Sequence, residues 1–257
     1  MKIQLLPSSF DESGCFSPQQ HLPCFLIDDC LAIDAGSLAL AVNDSQRQTV
    51  RDIIITHPHL DHIATLPIFI DDLFAELRQP VYVYAAPETI EILEQHIFNW
   101  KVFPRFNELT NDFGRVLEYK PIALNQKFTV NHFEVTAIPV NHQIPTVGLI
   151  VSSHQRTIAF TSDTAPTNDF WESVNALSKL DVLLIECAFP NSKASLAEIS
   201  YHLTPHKLRL ELAKLKHQCP VFIVNIKPMY RSEIIRELKQ FDLPQLKIMH
   251  VGNVYDF

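Results

Sequence analysis

The chain has 257 residues, 47% hydrophobic and 19% charged, a globular composition with enough apolar sequence for one large core or two small ones. Its five glycines form no Gly-x-Gly-x-x-Gly or Walker loop, which removes the usual dinucleotide-cofactor and kinase readings. A formal net charge of −8 without a basic stripe disfavours a long nucleic acid as partner and favours a small ligand.

Lys2–Leu6 reads as a strand. Cys24–Asp28 and Cys30–Ala35 read as a hairpin turning at Asp28 and Asp29 and ending at Asp34, Ala35 and Gly36. Asp52–Thr56 is a buried strand rich in β-branched residues. Ile63, Leu66, Ile70, Leu73, Phe74 and Leu77 recur at helical spacing, and Pro67 fits only near that helix's first turn. Val81–Ala85 is a strand, and Pro87–Ile97 a helix opened by proline. Asn99–Pro121 has weak periodicity and is expected to form loops over one end of the fold.

Strands are expected at Lys127–Val130, Phe133–Val140, Thr146–Ser152 and Thr157–Ser162, then a helix over Asp169–Leu180 and a buried strand at Val182–Glu186. Thr204 as N-cap and Pro205 as first helical residue open a helix through Leu208, Leu212 and Leu215. Val221–Ile226 is a strand, Ser232–Phe241 a last helix and Leu246–His250 a final strand. Helices interleave with strands in both halves, and several strands are apolar on both faces. The expectation is an α/β protein of two facing sheets with helices outside, in one domain over residues 1–257.

The decisive segment is THPHLDH at 56–62, set between a strand and a helix. His57, His59, Asp61 and His62 put three imidazoles and a carboxylate into six residues, a density that a divalent metal explains better than packing does. Such donors suit zinc, iron or manganese, and Pro58 stiffens the loop that carries them. Further candidates close later apolar runs: His142, Asp163, Glu186 and Asn225, with His202 just before the Thr204–Pro205 helix start. His21 lies in a Pro/Ser-containing loop after the first strand, a place that can border a site. The other histidines, His154 among them, receive no role.

These residues resemble the metallo-β-lactamase superfamily, whose signature is His-x-His-x-Asp-His. Within it the chain looks most like the class II cyclic-nucleotide phosphodiesterases, through HPHLDH at 57–62, IFNW at 97–100, FPRF at 103–106, HLTP at 202–205 and IKP at 226–228. The resemblance implies a four-layer αββα sandwich, the metallo-β-lactamase fold, with two divalent ions. Zinc is the first expectation, and manganese or iron are the alternatives. His57, His59 and His142 would hold the first ion, Asp61 and His62 the second, and Asp163 would bridge them. Asp61 is also counted with the catalytic residues, and Asp34 would brace the site from behind its ligands. Glu186 and His202 match the acid/base pair of the related tRNA 3′-processing nucleases, and Lys227 would bind a substrate phosphate.

One position departs from the family. Where a histidine precedes Ile-Lys-Pro, this chain has Asn225, a weaker donor for zinc. A weakened second site, a different metal and lost catalysis all stay open.

The implied activity is hydrolysis of a small anionic phosphodiester, a 3′,5′-cyclic nucleotide opening to a 5′-monophosphate through a metal-activated hydroxide. The alternatives are another hydrolase on the same fold (an RNA-processing nuclease, a thioester or lactone hydrolase) or a non-catalytic binding protein. Pairing into a homodimer is a family-level expectation. Cys15, Cys24, Cys30, Cys187 and Cys219 are odd in number and widely spaced, which fits a reducing compartment. With no long apolar run for a membrane or a signal peptide, a cytoplasmic protein is expected.

Overall fold

The computed structural model describes residues 1–153, 156–241 and 243–257; His154 lies outside them. Contacts divide the chain into two compact units, one formed by Met1–Ser17, Leu22–Ala123 and Val251–Asp256, the other by Pro18–His21, Leu124–His250 and Phe257. Among the described residues each unit contains a seven-stranded mixed sheet.

In the first unit the strand order is Val254–Asp256, Lys2–Leu5, Phe25–Ile27, Leu31–Ile33, Asp52–Ile54, Val81–Ala85 and Leu117–Pro121. The run from Leu31–Ile33 to Leu117–Pro121 is parallel. Within that run Asp52–Ile54, paired on both sides, is buried throughout, as its apolar run requires. Leu66, Phe69, Ile70 and Leu73 of one helix pack into the same core as Ile53, Ile55 and Val83, so the 3.6-residue period finds its burial here.

In the second unit the order is Leu246–Ile248, Val221–Val224, Val182–Glu186, Arg156–Phe160, Thr146–Ser153, Phe133–Val140 and Lys127–Val130. The strands from Arg156–Phe160 to Leu246–Ile248 are parallel. Their shared direction puts the residues after Phe160, Glu186 and Val224 at one edge of the sheet. Phe170, Trp171, Leu183, Ile223 and Leu208 belong to one core.

The sequence periods locate most elements and misjudge some limits. The helix expected over 63–77 is two pieces, Leu60–Ile63 and Leu66–Leu73. Thr65 interrupts it, because its hydroxyl bonds the Ala35 carbonyl and receives the Ala39 N–H. Pro67 does stand in the first turn of the second piece. The helix expected over 87–97 is α only through Ile92 and closes as a wider π turn over Leu93–Ile97. The Asp169 helix stops at Asn175, whose side chain is drawn away to Lys214 O and Lys216 N.

The segment 99–121, expected to be loop, carries a 3-10 turn at Phe106–Glu108, a small hairpin and the sheet strand Leu117–Pro121. In that strand only Leu117 is fully buried, and it ends in proline. An edge strand so composed shows no alternation. Asp44–Thr49 was not anticipated. It is a six-residue helix held by a reciprocal Asn43–Gln46 capping box. Thr204 caps the Pro205–Leu212 helix as expected, accepting from Lys207 N–H. Among the described residues no helix is long and apolar enough to cross a membrane.

Asp181, just before the strand Val182–Glu186, accepts from Thr157 N–H at 2.8 Å and Arg156 at 3.0 Å and pairs with Lys179 at 2.6 Å. Burial opposes its charge, yet these partners outweigh it and hold its carboxyl below the ordinary value. A lowered folded-state pKa contributes stability that is present above the unfolded pKa and lost as pH falls through the folded one. Asp181→Asn is therefore expected to cost about 1–3 kcal/mol near neutral pH. The gap to wild type should close below about pH 4. Urea unfolding at several pH values measures it, and a gap independent of pH would assign the loss to packing.

Candidate functional site

In the first unit the candidate residues sit at the ends of two neighbouring parallel strands. Asp34 follows Leu31–Ile33 and turns left-handed, with φ +60°. Its N–H bonds Ile54 O, which ties it to the next strand. The Asp34 carboxylate is buried and receives Thr56 N–H at 2.8 Å, the Thr56 hydroxyl at 3.0 Å and His62 Nδ1 at 2.7 Å. Burial raises its pKa, while His62 and Thr56 pull the other way.

An ionised carboxylate can only accept, so the His62 ring donates through Nδ1 and carries its lone pair on Nε2. His57 Nδ1 meets Thr56 Oγ1 at 3.0 Å. The His57 ring centroid lies 4.0 Å from that of His62 and 4.8 Å from that of His59. His57 and His62 are buried, while His59 and Asp61 are half-buried. Gly36 makes this loop possible, because a Cβ there would lie 2.1 Å from the Asp61 carbonyl oxygen and 2.6 Å from that of Pro23.

In the second unit Glu186 is fully buried at the end of its strand. Thr164, Ala188 and Leu203 N–H groups donate to its two oxygens at 2.8, 3.1 and 3.2 Å. His202 Nδ1 completes the set at 2.8 Å. Burial works against the His202 cation, but Glu186 and Asp163 outweigh it and raise its pKa. The Lys227 charge opposes them. His142 Nδ1 donates to Tyr201 O at 3.0 Å, and burial lowers its pKa despite Asp163. His142, Asp163 and His202 each offer a ligand atom, and these atoms lie within 4.8 Å of one another. Asn225, also left-handed at φ +51°, donates Nδ2 to Asp163 Oδ1 at 2.5 Å.

Residues 25–223 match the family model of the beta-lactamase superfamily domain. The chain belongs to this superfamily. It is 28% identical over 226 residues to a probable 3′,5′-cyclic-nucleotide phosphodiesterase of Yersinia pestis, covering 76% of this chain and 64% of that protein. It is 29% identical over 195 residues to 3′,5′-cyclic-nucleotide phosphodiesterase 1 of Saccharomyces cerevisiae, covering 65% and 51%. The chain thus spans about half to two thirds of the length of these relatives. Among solved structures, unliganded yeast PDE1 superposes with a TM-score of 0.76 at 19% identity over 98% of both chains, a likeness of fold. The α/β class expected from the sequence is the superfamily's.

The residues expected as ligands fall into one group in each unit: His57, His59, Asp61 and His62 in the first, His142 and Asp163 in the second. Their chemistry fits divalent transition ions. The imidazoles are oriented through Nδ1 by Thr56, Asp34 and the Tyr201 carbonyl, which presents Nε2 as the donor, and the carboxylates complete a mixed N/O set.

Sequence reasoning missed three contributors: the Thr56 hydroxyl, the Tyr201 carbonyl and Gln20. The loop singled out for His21 does reach a site residue, but through Gln20, whose Oε1 accepts the Asn225 N–H at 3.2 Å. A contact spanning 205 residues leaves no local pattern, and its only sequence signal was the loop's place after the first strand.

Asp34→Asn keeps the side chain's shape and removes the charge that fixes the His62 tautomer. Zinc affinity is expected to fall by about 10–100-fold. Competition against a chromophoric chelator measures it, and unchanged affinity would show that Asp34 does not set the His62 ligand.

Proposed function

We propose that this chain is a metal-dependent phosphodiesterase that opens 3′,5′-cyclic nucleotides to 5′-monophosphates. The observation that carries the reading is the Glu186–His202 pair, an imidazole bonded to a buried carboxylate beside two candidate ligand residues, His142 and Asp163. The cyclic-nucleotide substrate is supported by the names of the relatives in Yersinia pestis and Saccharomyces cerevisiae.

In this reading His57, His59 and His142 would hold one divalent ion, Asp61 and His62 the other, and Asp163 would serve both. Zinc is the expected metal. Bound ions of this kind lower the pKa of water and neutralise charge gathering on phosphoryl oxygens. The protein's own groups do the rest. Hydrolysis places a water oxygen on phosphorus, and the 3′ oxygen must leave with a proton. His202 holds that proton on Nε2, because its Nδ1 is committed to Glu186. Glu186 cannot swing away, since three backbone N–H groups grip its oxygens. Lys227, whose charge acts on His202, adds a cation suited to a phosphate oxygen.

The test is a hydrolysis screen of zinc-loaded and manganese-loaded protein with cyclic nucleotides, bis(p-nitrophenyl) phosphate, a thioester and a lactone. Release of 5′-monophosphate is expected. Turnover of the thioester or lactone with none of the phosphodiesters would overturn the substrate class. His202→Ala should keep its metal and lose about 10²–10⁴-fold in cyclic-nucleotide turnover. It should lose much less with p-nitrophenolate, a leaving group that needs no proton. Equal losses on both substrates would remove the acid role, and loss of metal by elemental analysis would make His202 a ligand.

A further inference from the structure

At Asn225 the family's imidazole is replaced by an amide whose two ends differ, one donating and the other accepting. Its nitrogen meets Asp163 Oδ1 at 2.5 Å. The reverse orientation would set two oxygen acceptors against each other at that separation, so charge alone selects the nitrogen. The backbone holds the side chain in place. Asn225 turns left-handed at φ +51° directly after the strand Val221–Val224, and its N–H is held by Gln20 Oε1 at 3.2 Å. Gln20 is 7% exposed, and its Nε2 is buried without a hydrogen-bond partner among the described residues. Burying an unpaired N–H is costly, so local stability does not explain why Gln20 is placed there. Its built contact is the one to Asn225.

We infer that Asn225 is a positioning residue for Asp163 and not a metal ligand, and that Gln20 is the brace that aims it. The inference rests on the metallohydrolase reading above. Asp163 is then oriented by an amide N–H in this chain. The second ion has lost an imidazole without gaining a substitute donor. Asn225 and Gln20 act on metal affinity through one carboxylate.

The experiment uses the full chain loaded with zinc and, separately, with cobalt. The readouts are ions per chain, affinity by chelator competition, and the cobalt visible spectrum. Asn225→Gly is the informative variant, because glycine accepts the left-handed backbone without strain. It should keep the wild-type ion count and cobalt band shape while affinity falls about 10–100-fold. Gln20→Leu should weaken affinity in the same direction, and Gln20→Glu, which keeps the acceptor for Asn225 N–H, should restore it. Asn225→His is also tolerated at positive φ. It should tighten one ion and alter the cobalt spectrum by adding a nitrogen ligand.

Loss of one ion per chain with a changed spectrum in Asn225→Gly would overturn the inference and make Asn225 a ligand. Wild-type affinity in Gln20→Leu would overturn the brace. No substrate enters these measurements. Ion counts as expected with no phosphodiester turnover would therefore sink only the proposed reaction. A wild type that binds neither metal would sink both readings.

Discussion

Two buried carboxylates organise the candidate residues, Asp34 those of the first unit and Glu186 those of the second. An ionised carboxylate away from water must be satisfied by donors, and the donors available to each are the loops that carry the chemistry. Asp34 collects the Thr56 backbone, the Thr56 hydroxyl and His62, and so folds the THPHLDH segment around itself. Glu186 collects backbone N–H groups at Thr164, Ala188 and Leu203 together with His202, and so pins the Asp163 loop and the His202 loop to the end of one strand. Each acid has its own sheet as an anchor, which is why irregular loops can hold ring orientations.

The sheets make this arrangement possible by direction. Parallel strands deliver successive loops to the same edge, so residues remote in sequence arrive together. Asp34 and Thr56 come from adjacent strands of one sheet, and Asp163, Glu186 and Asn225 from adjacent strands of the other. The chain must turn sharply as it leaves such an edge. Asp34, Ser162 and Asn225 all take a left-handed backbone there, which is uncommon outside glycine. In a chain with few glycines, two of these three turns fall on Asp and Asn, which tolerate that region best.

The most legible part of the sequence was the part with the least structural freedom. HPHLDH is a contiguous segment whose density of donors is best explained by metal binding, and apolar runs such as VLLIE read directly as buried strands. Glu186 was visible because a carboxylate at the end of such a run needs partners. The strand Leu117–Pro121 was not legible, since an edge strand with one fully buried residue has no alternation to read. Helix breaks at Thr65 and Asn175 arise from side chains captured by distant backbone, which periodicity does not encode. Gln20 illustrates the same limit at the site, for its partner is 205 residues away and its role depends on a register that only the folded chain defines.

His142 and His202 show how one neighbourhood produces two different imidazoles. Their ring centroids are 5.1 Å apart; His202 is buried and His142 half-buried. Burial alone would drive both towards the neutral form. It succeeds with His142, whose Nδ1 donates to the neutral Tyr201 carbonyl, and a neutral ring with its lone pair on Nε2 is what ligation requires. It fails with His202, because Glu186 supplies a full negative charge at 2.8 Å, and a ring biased towards the protonated form is what a proton donor requires. The difference between the two lies in the acceptor behind each ring, a carbonyl in one case and a carboxylate in the other. Separating two like groups by their environments is how enzymes assign ligand and acid roles to chemically identical side chains.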